Sequence, residues 1–258
     1  MQPIIDFHTH PFLDSSSNLC PHKEVIPMQW QNIQPMFEKL GVRHIAGSVI
    51  YREPQASPWE NILRGNAAAL QLREYLGDFY YPGFHIHPDY IPQSLEEIRR
   101  FAQLGFHLVG ELVPYIHGWN GYDRKDFGYL LDACREYGMV VNMHSIDDDA
   151  MDKMVSDHKD VTIVMAHPGE KESFLRHLRR MDVSENYYLD LAGTGLFRHG
   201  MLARGIAEQG AHRFLFGSDY PVCNPGMFVG GVLWDELISP EDQEKILCTN
   251  AKNLLGIT

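Results

Sequence analysis

The feature that most constrains this chain is an alternation. Short β-branched or aromatic runs recur along it, each separated from the next by a segment of helical period. The runs are PIIDFH (3–8), VRHIAGSVI (42–50), FYYPGFHIH (79–87), FHLVGELV (106–113), GMVVNMH (138–144), VTIVMAH (161–167), NYYLDLA (186–192) and RFLFGSD (213–219). The helical segments fall at 29–40, 58–77, 92–104, 125–137, 147–158, 169–181 and 197–209, and a last one opens with SPEDQEKI. Strand followed by helix, repeated about eight times, implies a parallel sheet with the repeat count and size of a (β/α)8 TIM barrel. A doubly wound open sheet is the alternative. The SPWE and SPED segments place Ser before Pro with acids following, which caps free N–H groups and suits the helix dipole. Without a Gly/Ser linker or a charge block, the pattern predicts one barrel domain over residues 1–258.

A barrel of this kind carries its chemistry at the C-terminal ends of its strands, and there the sequence turns polar. The first run ends in His8 and His10, the fourth carries Glu111, the fifth ends in His144, the sixth in His167 and the eighth in Asp219. A carboxylate or imidazole buried there costs several kcal/mol unless it is paired or bound to a metal. Residues i and i+2 of a strand point the same way, so His8 and His10 can present two ring nitrogens to one point. Imidazole and carboxylate donors without thiolate suit a divalent ion, zinc first, with manganese, nickel or iron as alternatives.

The other histidines test that reading. FHIHP repeats the HxH spacing at His85 and His87; His87 is a candidate substrate-binding residue, although a pocket-wall or structural role explains the pair better. His44 and His107 lie near strand starts, while His158, His177, His199 and His212 lie in or beside helices; all six read as structural or solvated. Arg52, in IYREP, is a candidate grip on a substrate carboxylate or a partner for Glu111. No GxSxG elbow or GxxxxGK[ST] loop competes with the metal reading.

Composition fixes the class of partner. A formal charge of −12 disfavours nucleic acid and anionic membrane, so a small-molecule substrate is expected. No run approaches the length of a membrane span, and the four cysteines (Cys20, Cys134, Cys223, Cys248) have no CxxC spacing, which together predict a cytoplasmic protein with reduced thiols. The long apolar and glycine-rich stretch after Asp219, YPVCNPGMFVGGVLWDELIS, reads as a loop that could be a lid or part of a homodimer contact.

These strand-end motifs resemble the amidohydrolase superfamily, in particular the amidohydrolase-related branch that includes aminocarboxymuconate-semialdehyde decarboxylase. DFHTH is similar to its first-strand motif, NMHS, MAHPG and LFGSDYP to its fifth, sixth and eighth strand endings, and EKILCTNAKNLLGI to its closing helix. The resemblance implies that His8, His10, His144 and Asp219 ligate a metal. It places His167 beside that metal as an acid/base group or as ligand to a second ion. It further implies a metal-activated water acting on an amide, ester or lactone, with Asp219 and His167 handling protons. A non-oxidative decarboxylase and a catalytically inactive metal-binding barrel are the alternatives. Glu111 departs from the mononuclear members: some superfamily enzymes, such as the TatD-type hydrolases, use a glutamate there to bridge two metals, so the count is one ion or two.

Overall fold

The computed structural model describes residues 3–26 and 28–257. Eight strands form one parallel sheet in sequence order: β1 (Ile4–Thr9), β2 (Val42–Ser48), β3 (Tyr80–Phe84), β4 (Leu108–Leu112), β5 (Val140–His144), β6 (Thr162–Ala166), β7 (Tyr187–Asp190) and β8 (Phe214–Leu215). The ring closes where the last strand meets the first. Phe7 N donates to Phe216 O at 2.9 Å, Asp219 N to His8 O at 2.9 Å and His10 N to Tyr220 O at 2.6 Å. The fold is the (β/α)8 barrel that the alternation predicts.

The connecting helices are α1 (Ile33–Lys39), α2 (Pro58–Leu76), α3 (Ile91–Gln103), α4 (Lys125–Glu136), α5 (Asp148–Asp157), α6 (Lys171–Val183) and α7 (Met201–Gln209). Ser57 and Glu60 form the capping box that SPWE announces, with Glu60 N donating to Ser57 Oγ at 3.3 Å and Ser57 N to Glu60 Oε2 at 2.7 Å. Ser239 likewise caps α9 (Pro240–Glu244), which runs on through a wider turn into α10 (Asn250–Leu255). The stretch read as a loop after Asp219 contains one more helix, α8 (Pro225–Leu233). Its glycines and β-branched residues lower its helix propensity and hide it from a periodicity reading, yet Asn224 Oδ1 accepts from Gly226 N, Pro225 pre-sets the first turn, and Phe228 and Val232 are buried.

Two layers of apolar side chains hold the barrel. The larger packs sheet against helices through residues such as Phe37, Leu72, Phe101, Phe127, Leu178 and Phe214. The smaller joins Ile5, Phe7, Leu108, Val164 and Leu215 to Ala251 and Leu255 of α10, below the polar strand ends. Burying each large side chain is worth about 1.5–3 kcal/mol, so this layer gives the strand ends a rigid floor. No helix among the described residues is long and apolar enough to cross a membrane.

Candidate metal centre

The strand ends converge. His8 and His10 are 1% and 2% exposed, Glu111 is 3% exposed, and their polar atoms face one another at the barrel mouth. His8 Nε2 lies 3.3 Å from His10 Nε2, the two rings meeting edge to face. Glu111 Oε2 is 3.4 Å from His8 Nε2 and 3.2 Å from His10 Nε2. Asp219 Oδ1 completes this side at 3.9 Å and 3.7 Å from the same two nitrogens.

The far side of each ring decides what these nitrogens can do. His10 Nδ1 donates to Ser48 O at 3.2 Å, and His8 Nδ1 to Asp190 Oδ2 at 2.9 Å. Carbonyl and carboxylate oxygens only accept, so a neutral His8 or His10 carries its proton on Nδ1 and points a bare Nε2 lone pair inward. Two lone pairs and a carboxylate then crowd one point with no proton to share. A cation resolves the conflict: donor atoms about 2.1 Å from an ion in tetrahedral array stand about 3.4 Å apart, the spacing found here. Asp190, a buried acid on β7, performs the carboxylate–histidine orientation typical of metal sites.

Glu111 reaches a second group with its other oxygen. Its Oε1 lies 2.8 Å from His144 Nδ1 and 3.4 Å from His167 Nε2, and those two nitrogens are 3.2 Å apart. His167 Nδ1 donates to Ala192 O at 3.0 Å, so its Nε2 also faces the cluster as an acceptor. The donor atoms therefore fall into two triads, His8–His10–Glu111 and Glu111–His144–His167, which share the glutamate. A third grouping, His8–His167–Asp190, also brings donor atoms together, but Asp190 spends its oxygens on His8, Asn142 Nδ2 and the backbone N–H groups of His167 and Ala192.

Electrostatics agrees with the geometry. Burial pushes the His8 pKa down, but Asp190 and Glu111 outweigh it and hold the imidazole well above its ordinary range. Burial also opposes charge on His167, yet Glu111 lifts it to about 9. Burial raises Glu111, and His8, His10, His144 and His167 together bring it well below the usual carboxylate range. Asp219 goes the other way, its carboxyl raised chiefly by burial. The cluster thus recruits positive charge, and protons and metal ions compete for the same nitrogens.

Local backbone serves these placements. His167 and Asp219 are the non-glycine residues with positive φ among the described residues, 70° and 58°, so strain sits at the site. Gly110, φ 91°, precedes Glu111 where a Cβ would stand 2.2 Å from Asn142 O; at Gly217 a Cβ would lie 2.7 Å from the Cβ of His8. No other residue fits either place without moving a ligand-bearing strand.

His8, His10, Glu111, His144, His167 and Asp219 are therefore gathered in space, and two other expected site residues are not. The His87 ring is spent on backbone, Nε2 donating to His117 O at 3.0 Å and Nδ1 accepting from Asp89 N at 3.1 Å. Arg52 is exposed beyond the end of β2, while the ion-pair partners of Glu111 are all histidines. Asp190 is the residue missed by sequence reasoning, although an acid in the buried run YYLDLA was the available signal. Tyr115, one of several residues after β4 placed by the sequence to shape a pocket, has its hydroxyl 3.5 Å from His144 Nε2.

The family profile described as Amidohydrolase matches residues 5–257. The chain belongs to the amidohydrolase family. That is the superfamily its strand-end motifs resemble, and members pair this barrel with a metal-dependent enzyme site. No curated protein matches it in sequence. Among solved structures, the chain is similar to a 2,6-dihydroxybenzoate decarboxylase in complex with 2,6-dihydroxybenzoate, with 16% identity, a TM-score of 0.76 and 99% of each chain covered. It is similar to a dihydroxybenzoic acid decarboxylase from a Polaromonas species with bound manganese and 2-nitroresorcinol (14%, TM-score 0.71, 99% of this chain and 97% of that one). A probable 2-pyrone-4,6-dicarboxylic acid hydrolase from Acinetobacter baumannii with bound citric acid follows (14%, TM-score 0.69, 98% and 99%). At such identities the likeness is one of fold.

Proposed function

We propose that this amidohydrolase-family member is a metal-dependent hydrolase of a small-molecule amide, ester or lactone. The carrying observation is the crowding of acceptor-only nitrogens around Glu111, at 3.2–3.4 Å, in a pattern that a cation relieves. His8, His10 and Asp219 would hold one ion and His144 and His167 a second, with Glu111 between them; zinc suits the donors best. A divalent ion there supplies an activated water and a Lewis acid.

The chain's own groups do the rest. Asp190 and Ser48 O fix the His8 and His10 rings, so the donor set is preorganised. Asp219, raised by burial, takes a proton from the attacking water and returns it to the leaving nitrogen or oxygen as the acyl bond breaks. His167, its ring fixed through Nδ1 by Ala192 O, would turn its Nε2 lone pair to the second ion on the far side of Glu111. Arg52, exposed beside the mouth, would grip a carboxylate on the substrate. The four cysteines are unpaired, which suits a reducing cytoplasmic setting.

The decarboxylase names of two similar structures favour a second reading, in which the same cluster protonates carbon as a small carboxylic acid loses CO2. Elemental analysis of the purified protein with a screen of lactones, amides, esters, phosphoesters and aromatic carboxylates, CO2 being monitored, tests both. Hydrolysis without CO2 supports the proposal. Release of CO2 as the main reaction overturns it in favour of the lyase, and a protein that retains no divalent metal overturns both. Glu111→Gln should lower the metal count from two per chain to one or fewer; an unchanged count removes the glutamate from the ligand set.

A further inference from the structure

We propose that the cleft beside His144 is a substrate subsite that takes a flat, apolar group bearing no negative charge of its own and rejects polyanions. This rests on reading the histidine cluster as the reaction centre, and it adds what the cluster leaves open: the shape and charge of the group carried to it. The cleft, about 720 Å³, lies between the chain following β4 and the start of α5. Its size falls within the roughly 300–1,000 Å³ of sites that enclose small organic ligands.

Tyr115 joins cleft and cluster. It forms part of the wall, while its ring stands edge-on to His144 with centroids 5.4 Å apart. The Tyr115 ring therefore stands between a ligand in the cleft and His144 of the second donor triad. Trp119 gives the opposite kind of wall: buried, and braced by Tyr122 and Phe127 at 5.7 Å and 5.1 Å between centroids. Tyr115 is 65% exposed and Trp119 5%, so a flat group in the cleft is lined by one open and one fixed aromatic side chain. Such aromatic contacts reward planar apolar surface.

The charges of the rim select among such ligands. Three acids, Asp123, Asp147 and Asp149, line the cleft with only two cations, Arg124 and Lys153. Both cations are already engaged, Arg124 by Asp89 and Asp126, Lys153 by Asp157. Among the acids, Asp149 is paired with Arg176 at 2.6 Å and Asp147 accepts from the first N–H groups of α5, but Asp89, Asp126 and Asp157 crowd the two cations, so the rim keeps an excess of acids that disfavours a phosphodiester chain or polycarboxylate more than a neutral or cationic ring.

Two probes of one ring size test this on the protein as purified: naphthalene-2-carboxamide, which is neutral, and naphthalene-1,5-disulfonate, a dianion. Titration followed by saturation-transfer NMR should show the carboxamide binding at least about tenfold more tightly. Ala150→Trp, which fills the cleft from the first turn of α5, should weaken the carboxamide about tenfold while leaving the metal content unchanged. Lys153→Trp closes the cleft from its exposed rim and should act alike even where the first variant folds poorly. Equal or tighter binding of the dianion, or carboxamide affinity unaltered in both variants, overturns the subsite. Metal analysis of the same samples separates this from the reading beneath it: selective binding in a protein without metal overturns the metal centre and leaves the subsite standing.

Discussion

Two segments of this chain carry the same spacing of histidines, His8 and His10 in DFHTH and His85 and His87 in FHIHP, and the barrel treats them in opposite ways. On β1 both rings are anchored through Nδ1, by Asp190 and by Ser48 O, and both present Nε2 to Glu111. Past β3 the rings part company. His87 gives both nitrogens to backbone groups, while His85 packs against His117, 4.8 Å between centroids, and none of the four ring nitrogens of that pair has a hydrogen-bond partner among the described residues. Spacing alone does not make a metal site. A site needs an acceptor behind each ring and a carboxylate in front.

The largest test of that comparison is a swap of losses. His10→Ala should lower the divalent metal retained after dialysis by at least about 100-fold, and His85→Ala should leave it unchanged, both read by elemental analysis. Equal losses would erase the distinction. A smaller effect is expected behind the ring: Asp190→Asn keeps the shape but loses the charge that orients His8, and should weaken metal binding about 10–100-fold in a chelator competition.

The two regions also titrate in opposite directions. Burial, with the neighbouring His87, lowers His117 to about 4 from the ordinary 6.5, so the unfolded chain takes up that proton first and stability falls as pH drops from about 6.5 toward 4. His117→Leu should flatten this acid limb in urea unfolding at pH 7, 5.5 and 4.5. In chelator-treated protein His167, raised to about 9 by Glu111 against the effect of burial, contributes stability that is complete below about 6.5 and is lost as pH rises through 9. A metal-free protein whose unfolding midpoint is level between pH 7 and 9.5 would contradict that sign. The smallest effect belongs to His85→Leu. Replacing a buried, unpartnered imidazole by an apolar side chain should shift stability by no more than about 1 kcal/mol, in either direction, with the barrel intact. A loss several times larger would show that the ring has a structural duty.

Much of this was legible in the residues. Strand and helix alternate in the chain because each element must bury one face, and eight repeats admit few closed solutions, so the barrel and its polar mouth follow from pattern. The capping signals of SPWE and SPED marked their helices for the same local reason. Helix α8 escaped because its glycine-rich segment is held by burial of Phe228 and Val232, which no periodicity reports. Asp190 is less legible because a single acid in NYYLDLA has no paired spacing to mark it, although its place at a buried strand end obeys the same rule. His87 could be demoted only by its partners, two backbone groups brought near by the chain after β4.

What the sequence by itself determined is the order of elements and the presence of six chemically able side chains at strand ends, since hydrophobic period and residue type are local properties. What only the tertiary structure decided is their mutual use. Closure of β8 on β1 brings Asp219 to the histidines of the first strand, and the approach of β4 sets Glu111 with one oxygen toward His8 and His10 and the other toward His144 and His167. Distances of a few ångströms between atoms about 100 or 200 residues apart in the chain arise only when the ring is closed, and those distances decide whether a lone pair meets a proton, a carbonyl or a metal ion.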